Sequence, residues 1–228
     1  MMRRLIAEGL GSLLLATAVI GSGIMAERLA NGNLAVALIA NTGATVTVLA
    51  ALIGLLGPVS GAHFNPAVSV VQAFSKALKW REALAYVAVQ LSGCCLGAVL
   101  AHAMFKLPLV QYSLHARTGW DQWLGEFVAT FGLILIILGP RRKDDAPWMI
   151  AAWIGAAYWF TSSTSFANPA ITVARAFSNT FAGIAPIHVP AFIAAQFLGA
   201  MAAIPVARAL AAPTDPRSRA SAEVSQSR

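Results

Sequence analysis

Apolar residues run along this chain in long blocks, roughly 5–26, 34–56, 82–105, 120–139, 147–163 and 187–210, with polar residues gathered in the gaps. Each block is close to the roughly 17–25 residues that a helix needs to cross a hydrocarbon core of about 30 Å. The pattern predicts six membrane-spanning helices. The fifth is short and turns polar at its end, through Thr161, Ser162, Ser163, Thr164 and Ser165. Two shorter apolar runs lie between the blocks, and each follows an Asn-Pro pair: Asn65-Pro66-Ala67 and Asn168-Pro169-Ala170. Asparagine caps a helix by accepting from its first free N–H groups, and proline fits the first helical position. Each motif therefore predicts a short helix that begins inside the membrane. Irregular backbone at that depth is tolerated only against protein or a watery cavity, so two such starts point to a pore or a midplane binding site.

Composition fixes the solvent. Hydrophobic residues make up 58% of the chain, charged residues 11%, and the mean hydropathy is +0.69. A soluble domain carries about 25% charged residues, so this chain lies in a lipid bilayer. Its net charge of +7 reads as topology and not as nucleic-acid binding. With the N-terminus inside, twelve of the sixteen lysines and arginines face the cytoplasm, and only Arg28, Lys106, Arg117 and Arg175 lie on the far side or in the outer leaflet. Nothing resembles a cleaved signal peptide, since the first block carries Glu8 early in its length. The segment 212–228 is polar, lacks a hydrophobic period and is expected to be a disordered cytoplasmic tail. Cys94 and Cys95, the only cysteines, are neighbours on one helix and read as small reduced packing residues.

The two halves, about 1–106 and 120–211, repeat each other within a single domain. Glu8 in block one answers Glu126 in block four, Asn65-Pro66-Ala67-Val68-Ser69 answers Asn168-Pro169-Ala170-Ile171-Thr172, and Gln90 answers Gln196. Three crossings per half invert the second copy, and inverted repeats of this kind place their site near the midplane. Two half-helices of about ten residues, rising ~1.5 Å per residue, together cross the core. Their positive ends and two asparagine side chains then face one point. A neutral hydroxylated solute accepts hydrogen bonds there, while a cation meets a repulsive field.

The run Ser60-Gly61-Ala62-His63-Phe64-Asn65-Pro66-Ala67-Val68, the second Asn-Pro-Ala, the paired Glu8 and Glu126 and the repeated Gln-x-x-Gly together resemble the major intrinsic proteins, the aquaporin and aquaglyceroporin family, over the chain up to about residue 210. The resemblance implies an all-α membrane protein of six spans plus two re-entrant half-helices, a pore in each monomer and a homotetramer. It also implies passive flux of water or small uncharged solutes, glycerol among them, with no cofactor and no metal. In most members an Arg directly follows the second Asn-Pro-Ala; here Ile171 stands in that place. The nearest Arg, Arg175, is one helical turn or ~6 Å further out on the same face, which puts it at the outer mouth with Phe166, snorkelling or bonding loop carbonyls. By the same alignment the filter position on the second span falls on Thr45, and that on the fifth span on Ala156 or, with a shorter loop, Tyr158. Ser165 is the loop position of the filter. A filter of Thr45, Ala156 and Ile171 is wide, neutral and partly apolar, and losing the guanidinium relaxes size exclusion and cation discrimination. The pattern is similar to bacterial members linked to arsenic resistance, which implies conduction of metalloid acids such as arsenous acid, with methylated arsenicals, across a bacterial inner membrane.

Plain readings suffice for the remaining polar residues. Ionisable residues inside spans are functional by default, yet Glu8 and Glu126 are expected to bond the re-entrant backbone and not to relay protons. Gln90 and Gln196 support the same loops. His63 is expected to anchor its loop, the alternative being a pH gate. The run Arg141-Arg142-Lys143-Asp144-Asp145 reads as a topology signal, and Trp120, Trp123, Trp148 and Trp159 as an interfacial belt. A water-selective pore, a secondary transporter with the same repeat and a closed structural protein are the competing readings. A transporter needs titratable groups or Na⁺ sites at the midplane, where this chain offers asparagines. No nucleophile–base pair or metal-ligand spacing appears, so an enzyme is not expected.

Overall fold

A computed structural model describes residues 1–139 and 145–210, and among these every regular element is helical. In chain order they are α1 (Met2–Leu29), α2 (Leu34–Ser60), α3 (Pro66–Phe74), α4 (Trp80–Met104), α5 (Trp120–Leu138), α6 (Ala146–Phe160), α7 (Pro169–Arg175) and α8 (Val189–Leu210). Five helices, α1, α2, α4, α5 and the segment Pro186–Leu210, are long and apolar enough to cross a membrane. The fifth predicted span, 147–163, is shorter than expected: α6 has 15 residues and ends at Phe160. Thr161 turns extended there, because the chain must leave the helix to form the loop into Asn168. The basic run through Lys143 and the predicted tail 212–228 lie outside the described residues.

Local chemistry sets the boundaries. Asn31 and Gly32 take positive φ after α1, and the Asn33 side chain then caps α2 by accepting from the N–H groups of Ala35 and Val36. Gly61, at φ 92°, ends α2 in a left-handed cap. Both short helices start as the motifs predict, with Asn65 and Asn168 as N-caps and proline directly behind. Trp120, Trp148 and Trp159, at the ends of α5 and α6, are at least half exposed.

Packing is tightest between α1 and α4 and between α5 and α8, where small residues let backbones meet. A Cβ on Gly97 would run into the Leu13 carbonyl oxygen, and one on Gly199 into that of Phe127. By contrast, Gly43 on α2 has open space around it. Gly97→Val is therefore expected to cost about 3 kcal/mol, the upper end of overpacking penalties, because backbone and not a movable side chain is in the way. Gly43→Val should lower the melting temperature in detergent far less; equal losses would show that α1 and α4 are not in close contact.

Candidate functional site

The two short helices bring their asparagines to one place. Asn65 Nδ2 donates to the carbonyl of Ala167 at 2.7 Å, and Asn168 Nδ2 donates to the carbonyl of Phe64 at 2.8 Å. Each side chain meanwhile accepts at Oδ1 from its own helix: Asn65 from Ala67 N–H at 2.9 Å, Asn168 from Ala170 N–H at 3.0 Å and Ile171 N–H at 3.3 Å. An amide nitrogen has two hydrogens. One on each asparagine is committed to the other loop, and one remains.

The loops that deliver these asparagines are held from behind by buried carboxyl groups. Glu8 accepts from Ser60 Oγ at 2.6 Å and His63 N–H at 3.0 Å through Oε1, and from Phe64 N–H and Gln90 Nε2, each at 2.8 Å, through Oε2. Glu126 accepts from the N–H groups of Phe166 and Ala167, each at 2.8 Å, and from Gln196 Nε2 at 2.6 Å. Gln90 then donates to Ser69 Oγ and Gln196 to Thr172 Oγ1, each at 2.9 Å, so each glutamine ties its Glu to the first turn of the adjoining half-helix. Both carboxyls are wholly buried. Presenting these N–H groups backwards forces uncommon backbone: Ala62, Phe64, Thr164, Ser165 and Ala167 all have φ between 47° and 59°. Such conformations persist for residues other than glycine only where the surroundings impose them, and here the Glu network does so. His63 Nδ1 lies 3.0 Å from Ser69 Oγ, within this network.

In front of the loops lies a narrow cavity of about 70 Å³. Asn65, Asn168, His63, Ser165, Thr45 and Tyr158 supply polar groups along it, and Leu15, Val19, Leu49, Val68, Leu133, Ile154 and Ile171 supply an apolar wall. It shares Ile53, Ala62, His63, Val68, Ile137 and Ile150 with a second cavity of about 900 Å³, which opens beside Arg4, Gln72 and Pro147. The carbonyls of Ala62, His63, Ser165 and Phe166, all residues of the first cavity, accept from no other described residue. A path with free carbonyl acceptors and amide donors on one side and aliphatic carbon on the other suits a small molecule bearing hydroxyl groups.

Of the two candidates on α6, Tyr158 reaches the cavity, with its hydroxyl 3.3 Å from Thr45 Oγ1. Ala156 is exposed on the outer face of the helix and is not among the cavity's residues. Two residues apart on a helix means nearly opposite faces, and it is the Tyr158 face of α6 that turns toward Thr45 of α2. Arg175 takes the second of its two expected arrangements, bonding a loop carbonyl. Instead of snorkelling at an open mouth, it is 3% exposed and lines the same cavity as Ile171. Its Nε donates to the Ala182 carbonyl, and its guanidinium carbon stands 3.3 Å from the centre of the Phe166 ring. Arg117 is assigned a side of the membrane by the sequence but no role at the site. It donates to Gly183, Ser163 and Phe181 carbonyls and approaches Thr164 Oγ1, while lying over Phe166 at 5.1 Å. No local motif marks it, since its partners come from two loops far along the chain. Cys94 is fully buried beside the Ser12 carbonyl, as a packing residue.

Comparison with known proteins agrees with this architecture. The family described as "Major intrinsic protein" matches residues 1–161, which include the first Asn-Pro-Ala but not the second. The chain is 51% identical to an aquaglyceroporin, AqpS, of Rhizobium meliloti over 216 residues, covering 94% of this chain and 92% of that protein. It is 30% identical to a glycerol uptake facilitator protein of Streptococcus pneumoniae over 68% of this chain and 60% of that one. Against an aquaporin, AqpM, of Methanothermobacter marburgensis the identity is 28%, over 64% and 68% respectively.

Proposed function

The chain belongs to the major intrinsic protein family, and from that premise we propose that its two joined cavities form a lane for small uncharged hydroxylated solutes. Members of the family are multi-pass membrane channels and not enzymes. The solutes proposed here are glycerol, water and neutral metalloid acids such as arsenous acid, with methylated arsenicals at the upper size limit. A single domain of two inverted repeats carries the lane, four copies form the assembly, and both termini face the cytoplasm of a bacterial inner membrane.

One observation carries the reading. Asn65 and Asn168, from the two halves of the chain, stand in one cavity with an unused N–H each, beside carbonyls that accept from nothing else described. A polyol exchanges its water hydrogen bonds for these at little net cost, and its carbon or metalloid face rests on Val68 and Ile171. An ion loses far more on leaving water. Arsenous acid, an uncharged polyol at neutral pH, meets the same requirements as glycerol.

Tyr158 and Arg175, both in the cavity, favour a second reading, a narrower and water-selective pore. Stopped-flow light scattering of proteoliposomes with water, glycerol and arsenite gradients separates the two. Glycerol and arsenite fluxes well above those of empty vesicles are expected, and fast water with neither solute would establish the narrower pore. Tyr158→Ala should raise glycerol flux relative to water by several-fold, whereas Ala156→Leu, on the exposed face, should leave that ratio alone. The reverse pattern would return the filter to Ala156.

A further inference from the structure

We propose that Arg175 is the charged filter residue of this pore, supplying from the end of α7 the guanidinium that is missing after the second Asn-Pro-Ala. The inference rests on the channel reading above and replaces the expectation that Ile171 leaves the filter uncharged.

Three observations converge on Arg175. It is 3% exposed, yet what it lines is the cavity shared by Asn168, Ile171 and Tyr158. Of its five N–H donors, only the one on Nε has a protein acceptor, the Ala182 carbonyl, among the described residues. The terminal nitrogens remain available to whatever occupies the cavity. No carboxyl oxygen stands within ion-pair distance either; the sole ion pair among the described residues is Arg4–Glu82. A guanidinium keeps its proton under all ordinary conditions, so an unneutralised positive charge faces the lane.

Its surroundings fix it there. The Phe166 ring lies under the guanidinium at 3.3 Å, and Arg117 backs the same ring at 5.1 Å. The two arginines differ in what they have left. Arg117 directs its donors to loop oxygens around Ser163, Phe181 and Gly183 and so braces Phe166, whereas Arg175 leaves most of its own free. The Ser165 hydroxyl, buried and without a partner among the described residues, lines the same stretch and can accept from a solute. The charge is also one-sided. The residue standing as far past Asn65 as Arg175 stands past Asn168 is Gln72, a neutral amide beside the other cavity.

A fixed cation in a narrow passage of low dielectric repels hydronium and metal cations strongly. The same group donates to oxygens of a neutral solute, which makes Arg175 a specificity-determining residue and not a mere anchor. Being one turn past Ile171, it leaves the Ile171 level wide and apolar while retaining the electrostatic barrier.

The test compares proton leak, read by a trapped pH dye under an imposed potential, with glycerol flux in the same proteoliposomes. For Arg175→Ala the ratio of leak to glycerol flux should rise by at least about tenfold, and Arg175→Lys, which keeps the charge, should stay near wild type. A ratio unchanged in Arg175→Ala overturns the proposal. Where that variant yields no glycerol flux, Arg175→Gln, which keeps donors but not the charge, decides against water flux in the same vesicles: a raised ratio of proton leak to water flux supports the proposal, and a wild-type ratio refutes it. Glycerol flux in the wild-type protein no faster than in empty vesicles would be a failure of the channel reading itself.

Discussion

Glu8→Ala is expected to yield no monodisperse protein after detergent extraction. The carboxyl group satisfies four buried donors at once, from Ser60, His63, Phe64 and Gln90. Each buried donor left without an acceptor costs about 1–3 kcal/mol, and the strained φ angles at Ala62 and Phe64 lose what imposes them. The sum is comparable with a typical net stability of about 5–15 kcal/mol. Glu8→Gln keeps one acceptor oxygen but aims an amide NH₂ at groups that are themselves donors, so it should be recovered in lower yield with a reduced melting temperature. Size-exclusion chromatography of fluorescently tagged protein measures both. A symmetric Glu8→Ala peak with wild-type glycerol flux would show that the loop is held by other means.

Ile171→Arg is the second large effect. It places a guanidinium about one turn, ~6 Å, from Arg175, in a cavity whose apolar wall Ile171 helps to form. The added side chain fills the width that a three-oxygen solute requires, and the two like charges repel each other and order the water between them. Glycerol and arsenite uptake should each fall at least about tenfold, while water flux should fall less. Equal arsenite uptake before and after the change would mean that Ile171 does not stand at the constriction.

How far these features can be read from sequence depends on how local their causes are. Asn65 and Asn168 are legible because an Asn-Pro pair states its own helix-capping chemistry, and both caps form as written. Glu8 and Glu126 are legible as charged residues in apolar blocks, a combination that requires buried donors. The choice between Ala156 and Tyr158 was not available, because α6 is apolar on every side and its pattern marks no inward face. Its inward face is set by packing against α2, where Tyr158 meets Thr45. Arg175 could be assigned to the face of Ile171 by helical phase, but its burial could not, since that depends on Ala182 and Phe166. Arg117 reaches partners 46 to 66 residues away, a relation that no local pattern encodes.

The crossed asparagine bonds have a consequence for biogenesis. The acceptor of the Asn65 amide lies 102 residues later in the chain, and that of Asn168 lies 104 residues earlier. While the ribosome is still making α4, the first re-entrant loop has its Glu8 anchor in hand but no counterpart for Asn65. That loop must wait, half-assembled, until α7 enters the bundle. Completion of the conduit is thus among the last steps of assembly, and a translocon that releases the first half early hands the bilayer a segment with an unmet polar group at its centre.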